Sequence, residues 1–113
     1  MKDFPPHILK PEVHLQRAQG YLELGMYEEA KRELRALPNE EPWAKRSKVF
    51  LLSIQQELQN WEDAQKIARG LRYEFSEEVD WWIADAYATR RHESITEAQS
   101  ILLEGLALHF DDG

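Results

Sequence analysis

Apolar side chains in this chain recur every three or four positions, and they do so in three similar stretches. The segments Gly25–Lys31, Gln59–Gln65 and Glu93–Gln99 each hold a large apolar residue, an acidic residue two positions later, and then an alanine. The copies are 34 residues apart, a period typical of stacked helix–turn–helix repeats. The pattern therefore predicts three equivalent pairs of helices, with the alanine of each copy as an equivalent buried contact.

Six helices are expected, with breaks where glycine, proline or polar residues interrupt the apolar pattern. The predicted helices cover residues 11–24, 27–37, 43–58, 61–75, 79–89 and 95–110, with a loop over residues 90–94. The three repeats then span about residues 11–44, 45–78 and 79–112, after an extended, proline-containing arm over residues 1–10. The alanines expected to be buried are Ala30, Ala64 and Ala98.

The residue types in the first unit resemble those of the tetratricopeptide repeat family. The matching positions are small Ala18, aromatic Tyr21, Gly25, aromatic Tyr27, small Ala30 and apolar Leu34. The second unit departs from the family pattern at Leu52 and Gln55, and the third fits two registers, with either Ala86 or Ala84 corresponding to Ala18. The resemblance covers nearly the whole chain. It implies an all-α fold, a right-handed α-solenoid of three helix–turn–helix units and six antiparallel helices.

The resemblance also implies protein binding. In this family the first helices of successive units line a concave groove that holds an extended peptide or a partner helix. By position, the expected groove residues are Leu15, Gln19, Leu22, Arg46, Phe50, Ser53, Gln56, Trp81, Tyr87 and Arg90, with Glu12, Val49, Asp80 and Ile83 beside them. Family members that clamp the carboxylate tails of chaperones use lysine and asparagine at fixed positions, which here are Leu15, Gln19, Phe50, Asp80 and Ala84. That ligand is not expected.

Two other roles stay open at this point. One is a small chaperone of a secretion or assembly system, which would shield a helical subunit of a partner in the same groove. The other is a structural homo-oligomer, because Leu103, Leu106 and Phe110 form an apolar stripe on the last helix. A homodimer through that helix is the corresponding expectation.

Charge and composition narrow the classes of partner and compartment. The formal net charge of −7 opposes attraction to a phosphate backbone, so nucleic acid is not an expected partner. The basic runs at residues 45–48 and 90–91 are interpreted as solvated helix ends. No stretch approaches eighteen uninterrupted apolar residues, so no membrane span is expected. The first residues lack the apolar core of a secretion signal and the chain has no cysteine, which together favour a cytoplasmic protein.

Candidate chemistry is sparse. The four histidines are not spaced as a helical zinc pair and belong to no His-Glu-x-x-His motif, so no metal site is expected. The serines lack the glycine context of a nucleophile, and no glycine-rich phosphate loop is present. We therefore expect no cofactor and no catalytic residue, and we interpret the chain as a non-enzyme.

Overall fold

The computed structural model describes residues 9–110, with side chains described as far as residue 108, and all regular secondary structure in this part of the chain is helical. The helices are α1 (Pro11–Glu23), α2 (Tyr27–Arg35), α3 (Trp43–Glu57), α4 (Trp61–Glu74), α5 (Val79–His92) and α6 (Ile95–Phe110). The described residues contain no strand, so the all-α class is confirmed for them. The arm predicted over residues 1–10 lies outside the described residues except at its last two positions.

The second helix of each pair begins at the same repeat position. Residues Tyr27, Trp61 and Ile95 start α2, α4 and α6, and they are 34 residues apart, as the sequence predicts. The predicted loop over residues 90–94 is wrong at its start, because α5 continues to His92. Arginine and histidine side chains in its last turn complement the negative end of the helix dipole, which favours this longer helix.

The turns inside the three pairs share a hydrogen-bonding pattern. The backbone N–H groups of Met26, Asn60 and Ser94 donate to carbonyl oxygens five residues earlier, at 2.8, 2.8 and 3.0 Å. In the first two turns the preceding residue, Gly25 or Gln59, has a left-handed backbone, with φ of 74° and 58°. This is the Schellman arrangement that commonly ends a helix. The third turn is one residue shorter and has no left-handed residue within the described part of the chain.

The chain divides into two compact units, one ending at Leu51 and the other beginning at Leu52. In the first unit α1 packs on α2, and Ala18 and Ala30 are fully buried between them. His14 Nδ1 lies 2.7 Å from Glu33 Oε1, and Arg17 lies 3.3 Å from the other oxygen of the same carboxylate. This carboxylate on α2 therefore holds two side chains of α1.

In the second unit α5 packs against both α4 and α6. Between α5 and α6 the buried cluster consists of Trp82, Ala86, Ala98 and Ile101. Gly105 lies against the indole of Trp82, where an added Cβ would be 2.9 Å from the Trp82 Cβ. Glycine at this position therefore lets α6 approach the tryptophan closely.

The predicted burial of the repeated alanines is confirmed, since Ala30, Ala64 and Ala98 are all buried. In the third pair Ala86 is buried and Ala84 is only partly so, which agrees with the strict 34-residue register. The next turn of the same helices, four residues after each alanine, departs from the repeat. Leu34 and Ala68 are buried, but the corresponding Leu102 is exposed, because α6 turns Ile101 toward α5 instead.

Candidate functional site

A concave surface in the second unit, here called the Trp61 groove, is lined by aromatic and aliphatic side chains. Its volume is about 430 Å³, and its lining residues are Gln56, Trp61, Asp80, Ile83, Ala84 and Tyr87. The rings of Trp61 and Tyr87 meet edge to face, with centroids 5.3 Å apart and an interplanar angle of 64°. This is a favourable aromatic geometry, and it fixes both rings at one end of the groove.

A cation completes the aromatic pair. The guanidinium carbon of Arg91 lies 5.1 Å from the Trp61 ring centroid and 5.8 Å from that of Tyr87. Cation–π attraction at these distances orients the arginine beside the groove. Tyr87 and Ile83 remain about half exposed, at 48% and 52%, so the groove presents apolar surface to solvent next to a positive charge.

A buried polar cluster between α4 and α5 sets the position of the groove. Asp85 and Thr89 on α5 are completely buried, and they face Gln65 and Arg69 on α4. The Thr89 hydroxyl donates to Asp85 at 3.0 Å and accepts from Gln65 at 2.9 Å and from Arg69 at 3.1 Å. The Thr89 hydroxyl therefore uses its donor and both of its acceptor positions, and it joins α4 to α5 through buried hydrogen bonds.

Two arginines neutralise the Asp85 carboxylate. Arg69 donates to both carboxylate oxygens, at 3.2 and 3.3 Å, and this side-chain hydrogen bonding raises the pKa of Arg69 above its ordinary value. Arg72 Nε lies 3.2 Å from one oxygen without the alignment of a hydrogen bond, so it contributes as a charge. Its guanidinium also lies 4.7 Å from the Trp82 ring centroid.

A second concave surface, here called the Phe50 groove, lies in the first unit. Its volume is about 440 Å³, and its lining residues are Leu15, Lys45, Arg46, Val49 and Phe50. The Arg46 guanidinium is 5.5 Å from the centroid of the Trp43 ring, which orients it along α3. The groove therefore has an apolar floor and basic side chains at its rim.

The residues predicted to form one groove are distributed between these two surfaces. Gln56 and Tyr87 line the Trp61 groove, together with Asp80 and Ile83 from the wider predicted set. Leu15, Arg46 and Phe50 line the Phe50 groove, together with Val49. The predicted residues that line neither surface are Gln19, Leu22, Ser53, Trp81 and Arg90, together with Glu12 from the wider set.

Two of those outlying residues make local hydrogen bonds. Gln19 donates to Glu23 at 3.0 Å, one turn further along α1. The Trp81 indole donates to Glu78 at 2.6 Å, which holds the ring at the start of α5. Adjacent Trp82 is buried and donates to the Ser76 carbonyl at 2.9 Å.

On α6, the predicted oligomer contacts Leu103 and Leu106 are both exposed. The third predicted contact, Phe110, has its side chain outside the described residues.

Sequence reasoning missed Trp61 and Arg91 as site residues. From the sequence, Trp61 is the large apolar residue of the second repeated segment, and Arg91 belongs to a basic run interpreted as a solvated helix end. The position of Asp85 carried a usable signal, because it lies three or four positions from Trp81, Trp82 and Ala88. A carboxylate on such an apolar helix face requires a buried cationic partner.

Comparison of the chain with protein-family models, with curated proteins and with solved structures gives no significant match. Among residues 9–108, whose side chains are described, no three histidine or carboxylate groups come together as a metal-binding group. Within the same span, no helix has both the length and the apolar character needed to cross a membrane. Functional inference therefore depends on the geometry of the two grooves.

Proposed function

We propose that this chain is a protein-interaction module that binds a segment of a partner protein, with the Trp61 groove as its principal contact. The proposal includes a tetratricopeptide-like architecture, in which three helix pairs stack as a right-handed solenoid. Support for that architecture comes from the common helix starts, the related turns and the buried alanines at a 34-residue spacing. The role is one of binding and includes no catalytic step.

The observation that carries the proposal is the aromatic pair of partly buried Trp61 and half-exposed Tyr87, together with Arg91. Aromatic and arginine side chains dominate the binding energy of protein interfaces, particularly where they are held rigidly before the partner arrives. Trp61 and Tyr87 are fixed by their mutual contact, and Arg91 lies over both rings. Little conformational entropy is then lost when a partner covers them.

The lining of the Trp61 groove defines the chemistry of the bound segment. Exposed Ile83 and Tyr87 favour an apolar side chain between them. Arg91 beside the rings favours an acidic residue next to that apolar side chain, since the pair would be partly removed from solvent. A short segment with an apolar residue followed by a carboxylate fits both features.

The Phe50 groove supplies a second contact of the same kind. Leu15, Val49 and Phe50 form its apolar floor, and Arg46 stands at its rim. A partner with apolar and acidic residues on one helix face would satisfy this surface, which is the specific support for the alternative role as a chaperone of a helical subunit.

The test compares two tyrosine substitutions in the second unit. Tyr87→Ala removes half of the aromatic pair, whereas Tyr73→Ala removes an exposed tyrosine outside the groove. Tagged wild type and both variants are used to capture proteins from the source cells, and captured proteins are quantified by mass spectrometry. We expect a protein retained by wild type and Tyr73→Ala to fall at least tenfold with Tyr87→Ala, since losing a central aromatic anchor costs about 2 kcal/mol or more.

Equal capture by all three proteins would contradict the role of the Trp61 groove. Phe50→Ala, compared with Leu24→Ala at an exposed position of the same unit, tests the Phe50 groove in the same experiment. Circular dichroism of each variant confirms that the helices are retained.

A further inference from the structure

Helix α6 packs against α5 on one side and exposes an apolar surface on another. The residues Ile95, Leu102, Leu103 and Leu106, here called the α6 stripe, are all exposed, Leu103 to 67%. Spacings of seven and four residues place Ile95, Leu102 and Leu106 on one face of the helix, with Leu103 at its border. This face is distinct from the one that packs against α5, which carries Ala98 and Ile101.

The same positions in the preceding repeat accept a helix. Thirty-four residues earlier, on α4, the corresponding residues are Trp61, Ala68, Arg69 and Arg72. Helix α5 packs there, with Tyr87 against Trp61 and with Asp85 contacting Arg69 and Arg72. By repeat position, the α6 stripe is therefore a helix-accepting surface.

The chemistry of that surface has changed between the two helices. Where α4 presents two arginines to a buried aspartate, α6 presents Leu103 and Leu106. Helix α6 contains no lysine or arginine, and Glu104 is two residues from Leu102 and from Leu106, on the opposite side of the helix. A helix that covers the stripe must therefore be apolar and uncharged along its contact face.

We propose that the α6 stripe of one copy packs against the α6 stripe of a second copy about a two-fold axis, forming a homodimer. Such a contact buries aliphatic side chains on both sides and leaves the carboxylates of both helices pointing away from it. An isologous contact of this type closes on itself and limits assembly to two copies.

Head-to-tail stacking is less favourable because it would bury a positive charge without a partner. In that arrangement α1 of the next copy would take the place that α5 takes on α4. The α1 residue equivalent to Asp85 is Arg17, which is paired with Glu33 of its own unit at 3.3 Å. The α6 stripe has no anion for this guanidinium, so stacking would bury an arginine against leucines. The self-paired dimer avoids that cost.

This inference uses a different face from the Trp61 and Phe50 grooves and does not depend on the proposed function. Light scattering coupled to size exclusion measures the mass of the full chain at several concentrations. We expect wild type at twice the chain mass of 13.3 kDa, and the double variant Leu103→Glu/Leu106→Glu at 13.3 kDa with its helical circular dichroism retained. The control Leu24→Glu, at an exposed leucine elsewhere, should stay dimeric.

Single cysteines test the symmetry without disturbing the fold, because the chain has none of its own. Near a two-fold axis a residue meets its own copy, and a disulfide forms when the two Cα atoms are within about 7 Å. Under mild oxidation we expect Leu102→Cys or Leu103→Cys to give a covalent dimer and Leu24→Cys to give none. The proposal is overturned by a wild type of 13.3 kDa at every concentration, by a dimer that survives both glutamates, or by a dimer with neither stripe cysteine cross-linked.

Discussion

Two residues at equivalent repeat positions, Gly25 and Gln59, have left-handed backbone conformations at the ends of α1 and α3. Glycine adopts this conformation without steric cost, whereas a side chain meets the following carbonyl. Gln59 is held there by its turn, in which the N–H of Asn60 donates to the Gln55 carbonyl at 2.8 Å. The second turn therefore carries local strain that the first turn lacks.

Replacing this strained residue gives a prediction at the same scale. Gln59→Gly should raise the free energy of unfolding by about 0.5–1 kcal/mol, since relief of the left-handed penalty exceeds the extra entropy of glycine in the unfolded chain. Urea unfolding followed by circular dichroism measures the change. The control Gln16→Gly, in the interior of α1, should lower it by about 1 kcal/mol. A lower free energy of unfolding for Gln59→Gly than for wild type would contradict strain at this residue.

At the scale of elements, the contact between α4 and α5 decides where the Trp61 groove lies. At its centre lies Asp85, which is fully buried and accepts hydrogen bonds from Arg69 and Thr89. Arg72 forms an ion pair with the same carboxylate. Small residues allow the two helices to approach closely, and we expect the buried polar cluster to specify their register. Tyr87, two residues from Asp85, is thereby placed against Trp61.

Removing the carboxylate should be strongly destabilising. Asp85→Ala leaves two arginines without their anion, one of them buried, and should lower the free energy of unfolding by about 3 kcal/mol. Urea unfolding monitored by tryptophan fluorescence provides the measurement. Asp80→Ala, at an exposed carboxylate on the same helix, should change stability by less than about 0.5 kcal/mol. If both substitutions have equal effects, the cluster does not set the register.

Helix starts were predictable because apolar spacing and the repeated alanines report directly on local structure. The C-terminal end of α5 and the exposure of Leu102 were not, since both depend on how one helix turns its face toward another. The site was predicted in part. Residues such as Gln56 and Tyr87 followed from repeat position, but Arg91 became a site residue only through its placement over two rings that the sequence separates by 26 positions.

At the scale of the whole molecule, the account rests on three copies of one helix pair. The copies share the start of their second helix and the turn hydrogen bond that precedes it. They also share a buried alanine as the fourth residue of the second helix, at Ala30, Ala64 and Ala98. The α6 stripe is interpreted by repeat position, so that interpretation depends on this equivalence.

Overpacking each repeated alanine tests that equivalence most directly. Ala30→Leu, Ala64→Leu and Ala98→Leu should each lower the free energy of unfolding by about 1–3 kcal/mol, because all three methyl groups lie in closely packed helix contacts. Ala107→Leu, at an exposed position of α6, should change it by less than about 0.5 kcal/mol. Urea unfolding of the four variants gives the comparison. The predicted result is a lower free energy of unfolding for all three buried substitutions. The account would be contradicted if any one of them had as small an effect as Ala107→Leu.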